Sequence, residues 1–205
     1  MFNLRERLRR LIPNSRWRTV DIVVASVLAA AFGVIFWAWG LLWNGPAAAV
    51  FSGFFPPASA AIYGVWLMPA VLAPLIIRKA GAGLYAELVA AIISALLGTT
   101  WGISVLWYGL AEGLAGELGF TAFGYRRWGM PQALLASVLS GLTAAGLDLY
   151  YYYADWSTDW KVSYVAIVVA STMVIAGLGS VLLTKALAGT GVLDRFPSGR
   201  VRDLV

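Results

Sequence analysis

Long apolar stretches alternate with short polar breaks through most of the chain. Six stretches stand out, at residues 19–42, 57–77, 82–98, 103–124, 131–152 and 162–188. Turn-forming residues separate them, as at 44–46 and 98–102. Because a helix needs about 20 apolar residues to cross a bilayer, each stretch predicts a membrane-spanning helix. The apolar run from Pro46 to Pro57 is too short to cross, and we interpret it as a loop that dips into the membrane face.

The composition of the chain supports a membrane protein. Of its 205 residues 60% are hydrophobic and 12% are charged, whereas soluble domains are about 25% charged. This balance excludes a soluble globular domain, a disordered chain and a collagen-like chain. We therefore predict an all-α integral membrane protein with six transmembrane helices in a single membrane domain over residues 1–205. A basic segment at 1–18 precedes the first span, and a tail at 189–205 follows the last.

The positive charges predict the orientation of this domain. Fourteen of the 15 Lys and Arg residues lie before the first span, after the second and fourth spans, or at or after the end of the sixth. The loops after the first and third spans carry none, and the loop after the fifth carries only Lys161. By the positive-inside rule both termini are predicted to be cytoplasmic, in a bacterial plasma membrane. Topology and contact with anionic lipid then explain the net charge of +5, and no nucleic-acid partner is predicted.

The chain contains no Cys and no His. Disulfides, thiolate nucleophiles and His-based metal or catalytic sites are therefore excluded. We predict no metal site and no cofactor. An intramembrane enzyme that uses Asp and Glu stays open as an alternative, and so does a stand-alone proton-coupled carrier.

Four acidic residues fall inside the predicted spans: Glu87, Glu112, Glu117 and Asp148. Ionisable groups at membrane depth are costly, so they usually face protein or water and often serve function. For Glu87 and Glu117 we favour hydrogen bonds within the bundle or pairing with the basic loops. For Glu112 and Asp148 a ligand role and a structural role remain equally open. Asp148 shares a helix face with small residues such as Ala144, which predicts that it points into the bundle.

Aromatic residues concentrate near the predicted outer ends of the spans, for example in the tyrosine run 150–153. An interfacial belt would explain many of them. The cytoplasmic ends carry fewer, which favours an outer cavity partly lined by aromatic rings. Aromatic rings beside carboxylates suit a flat ligand that is cationic or rich in nitrogen.

Several short motifs follow one another along the chain in an order and at a spacing that can be compared with known families. They are residues 62–66, 77–82, 86–87, 96–98, 101–102, 113–117, Asp148 and 190–193. In this order the chain resembles the YkoE-type S components of energy-coupling factor (ECF) transporters, the thiamine/hydroxymethylpyrimidine group. The resemblance implies a six-helix membrane protein that binds a vitamin or its precursor from outside. It also implies that the protein is not an enzyme and that it works with a transmembrane T component and two ATPase subunits.

The residues and the resemblance together assign roles to particular positions. Tyr63, Trp66, Trp101 and Tyr108 are predicted to stack a ligand such as thiamine or hydroxymethylpyrimidine. Ser94, Glu112 and Asp148 are predicted to bond its polar groups or its charge. The loop from Trp43 to Pro57, with Trp43 and Asn44, is predicted to form an outer gate. Ala25, Ala29 and Gly33 form a small-residue stripe on the first span, which suits close helix packing, and the resemblance implies that it meets the T component.

Overall fold

The computed structural model describes residues 16–51 and 53–199. All regular secondary structure within these residues is helical. The α-helices are α1 (Thr19–Leu42), α2 (Ala48–Phe51), α3 (Met68–Ile77), α4 (Ala82–Leu96), α5 (Val105–Thr121), α6 (Met130–Tyr151), α7 (Thr158–Ser171) and α8 (Gly179–Gly189). Two π-helical segments, Trp43–Ala47 and Thr172–Leu178, and two 3₁₀ segments, Pro56–Leu67 and Gly102–Ser104, connect or extend them.

Four continuous helical stretches in the described residues are long and apolar enough to cross a membrane. They are Thr19–Phe51, Pro56–Ile77, Met130–Tyr151 and Thr158–Gly189. The helix Ala82–Leu96 is apolar but shorter, and α5 has 17 residues. The protein is therefore a multi-pass, all-helical membrane protein. The count of six spans and the cytoplasmic location of both termini remain predictions.

The run from Pro46 to Pro57 is not the loop that its sequence predicts. The first helix continues past Leu42 through the π-helical segment Trp43–Ala47 and ends at Phe51. Pro46 lies inside the π-helical segment. A proline inside an α-helix lacks an N–H and clashes with the carbonyl group four residues before it. The wider π turn accommodates this proline, so the helix passes it instead of ending there.

The two ends of the helical bundle differ in composition. The aromatic end holds the turns 53–55, 97–104 and 152–157, and the basic end holds residues 78–81 and 122–129. The segment Pro56–Leu67 and α3 run from the aromatic end to the basic end. Helix α3 is the centre of the bundle, because nine of its ten residues are buried.

The stripe of Ala25, Ala29 and Gly33 is buried inside the chain. Ala25 and Ala29 have no exposed surface. A Cβ atom at Gly33 would lie 2.6 Å from the Cβ atom of Ile93, because α1 packs closely on α4 at this point. The prediction that these residues form a partner interface is therefore wrong for this structure. Small residues allow close helix approach, and here the neighbouring helix belongs to the same chain.

Two of the four carboxylates hold helices together at their first turns. Glu87 on α4 accepts a 2.9 Å hydrogen bond from the backbone N–H of Ala70, in the first turn of α3. Glu117 on α5 accepts a 2.6 Å bond from the N–H of Gly83, in the first turn of α4. The first N–H groups of a helix have no partner within the helix, and its dipole favours an anion there. The interpretation of Glu87 and Glu117 as bundle-internal hydrogen-bonding groups is confirmed.

The contact between α5 and α6 predicts a strong effect of Gly119→Ala. A Cβ atom at Gly119 would fall inside contact distance of the Ala136 backbone. We expect Gly119→Ala to destabilise the protein by about 1–3 kcal/mol through overpacking and to lower its thermal midpoint in detergent by roughly 5 °C. Gly146→Ala is the matched control, because it lies on α6 with no heavy atom within 4 Å of its Cβ position. Equal midpoints for the two variants would contradict this account of the contact.

Candidate functional site

A cavity of about 270 Å³ opens at the aromatic end of the bundle. Eight of its lining residues are aromatic: Phe36, Trp43, Tyr63, Trp66, Trp101, Tyr108, Tyr152 and Tyr153. Three lining residues are acidic, Glu87, Glu112 and Asp148, and none of the described lining residues is basic. Pockets for small molecules are mostly apolar, with a few convergent polar groups, and enclose roughly 300–1,000 Å³. This cavity is therefore of a suitable kind for a small, flat, polar or cationic ligand.

Trp66 is the centre of the aromatic wall. Its ring centroid lies 5.0 Å from that of Trp43, 5.3 Å from Tyr63 and 5.6 Å from Trp101, each in an edge-to-face arrangement. Edge-to-face pairs are favourable because the positive ring edge meets a negative face. The three neighbours thus restrain the Trp66 ring from three directions.

The unusual 3₁₀ segment Pro56–Leu67 places two of these rings together. Side chains three residues apart eclipse in a 3₁₀-helix, so Tyr63 and Trp66 project on the same side. Runs of this length are uncommon, and here hydrogen bonds to the seventh α-helix fasten the segment. The N–H of Gly64 donates to the Ser171 hydroxyl at 3.0 Å, and that hydroxyl donates to the Ala61 carbonyl at 2.9 Å.

Asp148 is held by two tyrosines. The Tyr108 hydroxyl donates to its Oδ1 atom at 2.8 Å, and the Tyr164 hydroxyl donates to its Oδ2 atom at 2.6 Å. Tyr153 packs against Tyr164 at a centroid distance of 5.0 Å, and burial raises the pKa of the Tyr153 hydroxyl to about 12. Both carboxylate oxygens of Asp148 therefore already have a donor from the chain. Asp148 thus presents to the cavity a carboxyl group that the two tyrosines hold in place.

Glu112 is the less satisfied carboxylate. It is buried on α5, and its side chain receives one long hydrogen bond, 3.5 Å from the Tyr63 hydroxyl to Oε1. The Ser140 hydroxyl donates to the Glu112 backbone carbonyl at 2.9 Å, which fixes α5 against α6 at this level. A carboxylate has room for about four donors. Glu112 thus retains capacity to bond a ligand in the cavity.

Trp43 and Asn44 lie at the cavity wall where the first helix extends beyond Leu42. The Asn44 amide donates to the Thr100 hydroxyl at 2.9 Å and to the Gly40 carbonyl at 3.0 Å. This bond links the helix extension to the turn between α4 and α5. The predicted gate residues therefore lie in a helical extension rather than in a loop.

Comparisons with known proteins give consistent results. A family model described as "ABC-type cobalt transport system, permease component" matches residues 20–143. A protein of Bacillus subtilis (strain 168), named as the HMP/thiamine permease protein YkoE, is 32% identical over 186 residues, which are 90% of this chain and 91% of that protein. A crystal structure of an S component of an ECF transporter superposes with a TM-score of 0.86 and 31% identity. That superposition covers 92% of this chain and 94% of the other.

The chain belongs to the YkoE-type S components of ECF transporters. An S component is the substrate-binding membrane subunit of a vitamin-uptake transporter, so the predicted class of function is confirmed. The relatives are transporter subunits and not enzymes, which confirms the prediction that the chain is not an enzyme. This decides against the Asp/Glu enzyme even though Glu112 and Asp148 line the same cavity.

The structure brings together all seven predicted binding residues of this S component. The cavity at the aromatic end is lined by Tyr63, Trp66, Ser94, Trp101, Tyr108, Glu112 and Asp148. The Ser94 hydroxyl donates to the Ala91 carbonyl at 3.2 Å, which leaves its oxygen as an acceptor. The sequence reasoning missed nine lining residues, among them Phe36, Glu87, Tyr152 and Tyr153. The tyrosine run 150–153 was a usable signal for two of them, whereas Phe36 looks like any other apolar residue of its span.

Proposed function

We propose that this S component captures thiamine or its hydroxymethylpyrimidine precursor. The observation that supports the proposal most is the cavity, in which eight aromatic rings surround three carboxyl groups without a basic residue among the described lining. Aromatic faces attract both flat rings and cations. The relative named as an HMP/thiamine permease adds support from outside the structure.

The two parts of thiamine match the two kinds of lining group. Its aminopyrimidine ring is flat, which suits the aromatic wall around Trp66. Its thiazolium ring carries a fixed positive charge, which suits the carboxyl groups of Glu112 and Asp148. Like charges close together are unfavourable, so a cation between the carboxyl groups would reduce their mutual repulsion.

The family description names cobalt, which suggests a metal ion as the transported substrate. A metal ion fits this chain less well than an organic ligand does. Cobalt binds well to imidazole and thiolate ligands, and the chain has neither His nor Cys. Within the described residues no group of three or more acidic side chains is arranged to hold a metal ion. We therefore propose an organic ligand.

We place the aromatic end on the outer side of a bacterial plasma membrane, with six spans and both termini in the cytoplasm. The distribution of Lys and Arg supports this orientation through the positive-inside rule. Substrate would enter from outside through the mouth near Asn44.

We further propose that a transmembrane T component and two ATPase subunits complete the transporter. A stand-alone proton-coupled carrier would need no such partners, and membership of the S-component family favours the ATP-driven arrangement.

Binding by the purified chain tests the proposal directly. We expect saturable, one-to-one binding of thiamine, of hydroxymethylpyrimidine, or of both, measured by titration calorimetry in detergent. Cobalt chloride at the same concentrations is the control ligand and is expected to give no saturable signal. Absence of binding for both organic ligands would contradict the proposed substrate class, and saturable binding of cobalt would contradict the choice of an organic cargo.

A further inference from the structure

A second cavity, of about 700 Å³, lies at the basic end of the bundle, far from the aromatic end. It opens between the last turn of α3, the first turn of α6 and the last turns of α8. Its lining includes the cations Arg78 and Lys185 and the apolar residues Leu75, Met130 and Val181. The proposed substrate site uses none of them.

Arg78 is the most unusual residue of this basic-end cavity. It ends α3 in the left-handed conformation, with φ 55° and ψ 45°, which normally favours glycine at a helix C-terminus. Its Nε atom is buried and has no hydrogen-bond partner. Burial lowers the pKa of the Arg78 guanidinium from its ordinary value, although an arginine remains charged at neutral pH. The unpartnered buried donor is a cost that a bound anion would offset.

The other lining groups favour an anion as well. Lys185 supplies a second positive charge, and no Asp or Glu is among the described lining residues. Gly129 and Met130 lie at the N-terminus of α6, a helix of 22 residues. The positive end of its dipole therefore faces the cavity. The hydroxyls of Thr184 and Ser198 already donate to backbone carbonyls of the chain, so the two side-chain cations carry the argument.

We propose that the basic-end cavity binds a phosphate group through Arg78 and Lys185. A planar guanidinium donates to two phosphate oxygens at once, and an ammonium adds a second contact. The cavity lies where three of the helices begin or end, at the basic end of the bundle. Leu75, Met130 and Val181 provide an apolar wall beside the cations. Basic pockets between membrane helices take up lipid headgroups in this way, and a free phosphate ion would use the same two side chains.

The test uses the full chain purified in detergent and follows its thermal midpoint. Three additions are compared: dioleoylphosphatidylglycerol, dioleoylphosphatidylcholine, and sodium phosphate against sodium chloride of equal ionic strength. We expect phosphatidylglycerol to raise the midpoint and phosphatidylcholine to have little effect. In the double variant Arg78→Gln/Lys185→Gln the apparent dissociation constant for phosphatidylglycerol should rise about tenfold or more. Arg127→Gln is the matched control, because Arg127 is exposed, lies at the same end and does not line the cavity.

The outcomes distinguish a lipid phosphate, a free phosphate ion and the absence of a phosphate site. A response to phosphatidylglycerol alone, lost in the double variant, identifies a lipid as the source of the phosphate. A response to sodium phosphate that the double variant also loses identifies a free phosphate group. No response to either, or an equal response from the double variant, overturns the proposal. If the double variant fails to fold, the single variants Arg78→Gln and Lys185→Gln replace it, and an unchanged response from both overturns the proposal in the same way.

Discussion

Glu112→Gln is expected to weaken thiamine binding about a hundredfold while weakening hydroxymethylpyrimidine binding much less. The substitution preserves shape and replaces a group that can carry a negative charge beside a bound cation with one that cannot. At an effective dielectric constant of about 20, a unit charge roughly 5 Å from a cation contributes about 3 kcal/mol. Thiamine carries a permanent positive charge and hydroxymethylpyrimidine does not, so the neutral ligand separates the loss of charge from any general damage to the site.

The matched control for this prediction lies on the same helix. Glu117 is also buried on α5, but it bonds the Gly83 N–H and the Tyr125 hydroxyl and does not line the cavity. Glu117→Gln should lower stability without changing the ratio of the two affinities. Titration calorimetry with both ligands gives this ratio for each variant. If Glu112→Gln leaves the ratio at the wild-type value, Glu112 does not face the charged part of the ligand.

The general architecture could be predicted because membrane-spanning helices leave a strong pattern in sequence. Apolar stretches of the right length, separated by turn residues, correspond to the helical segments from Thr19 to Gly189. The helix extension Trp43–Phe51 could not be predicted in the same way. Asn44, Gly45 and Pro46 are typical of a turn, and only the backbone of the structure shows that the helix continues through them.

The site residues were predictable as a group because antiparallel spans fix the depth of each residue in the membrane. Residues near the same end of successive spans must meet, and this places Tyr63, Trp101 and Asp148 at one level. The individual contacts were not predictable. Nothing in the sequence distinguishes Tyr164, which bonds Asp148 at 2.6 Å, from neighbouring aromatics of an interfacial belt. The stripe containing Ala29 shows the same limit, because small residues indicate a close neighbour without indicating which chain provides it.

Trp66→Ala is expected to weaken thiamine and hydroxymethylpyrimidine to a similar extent, by about tenfold to a hundredfold. Stacking of a base on an aromatic side chain contributes about 1–3 kcal/mol, and both ligands contain the pyrimidine ring. Removal of the indole also frees the rings of Trp43, Tyr63 and Trp101, which it restrains from within the cluster. Trp107→Ala is the matched control, since Trp107 is 68% exposed and does not line the cavity.

Comparison of the two substitutions separates stacking from charge. Glu112→Gln should change the ratio of the thiamine and hydroxymethylpyrimidine affinities, whereas Trp66→Ala should lower both affinities and leave the ratio nearly constant. Trp66→Phe should recover part of the lost affinity, because it restores a flat ring with a smaller face. If Trp66→Ala binds both ligands as tightly as Trp107→Ala does, the aromatic cluster around Trp66 does not contact the pyrimidine ring. The ligand would then have to bind on the side of the cavity near Asp148 and Tyr152, away from the indole.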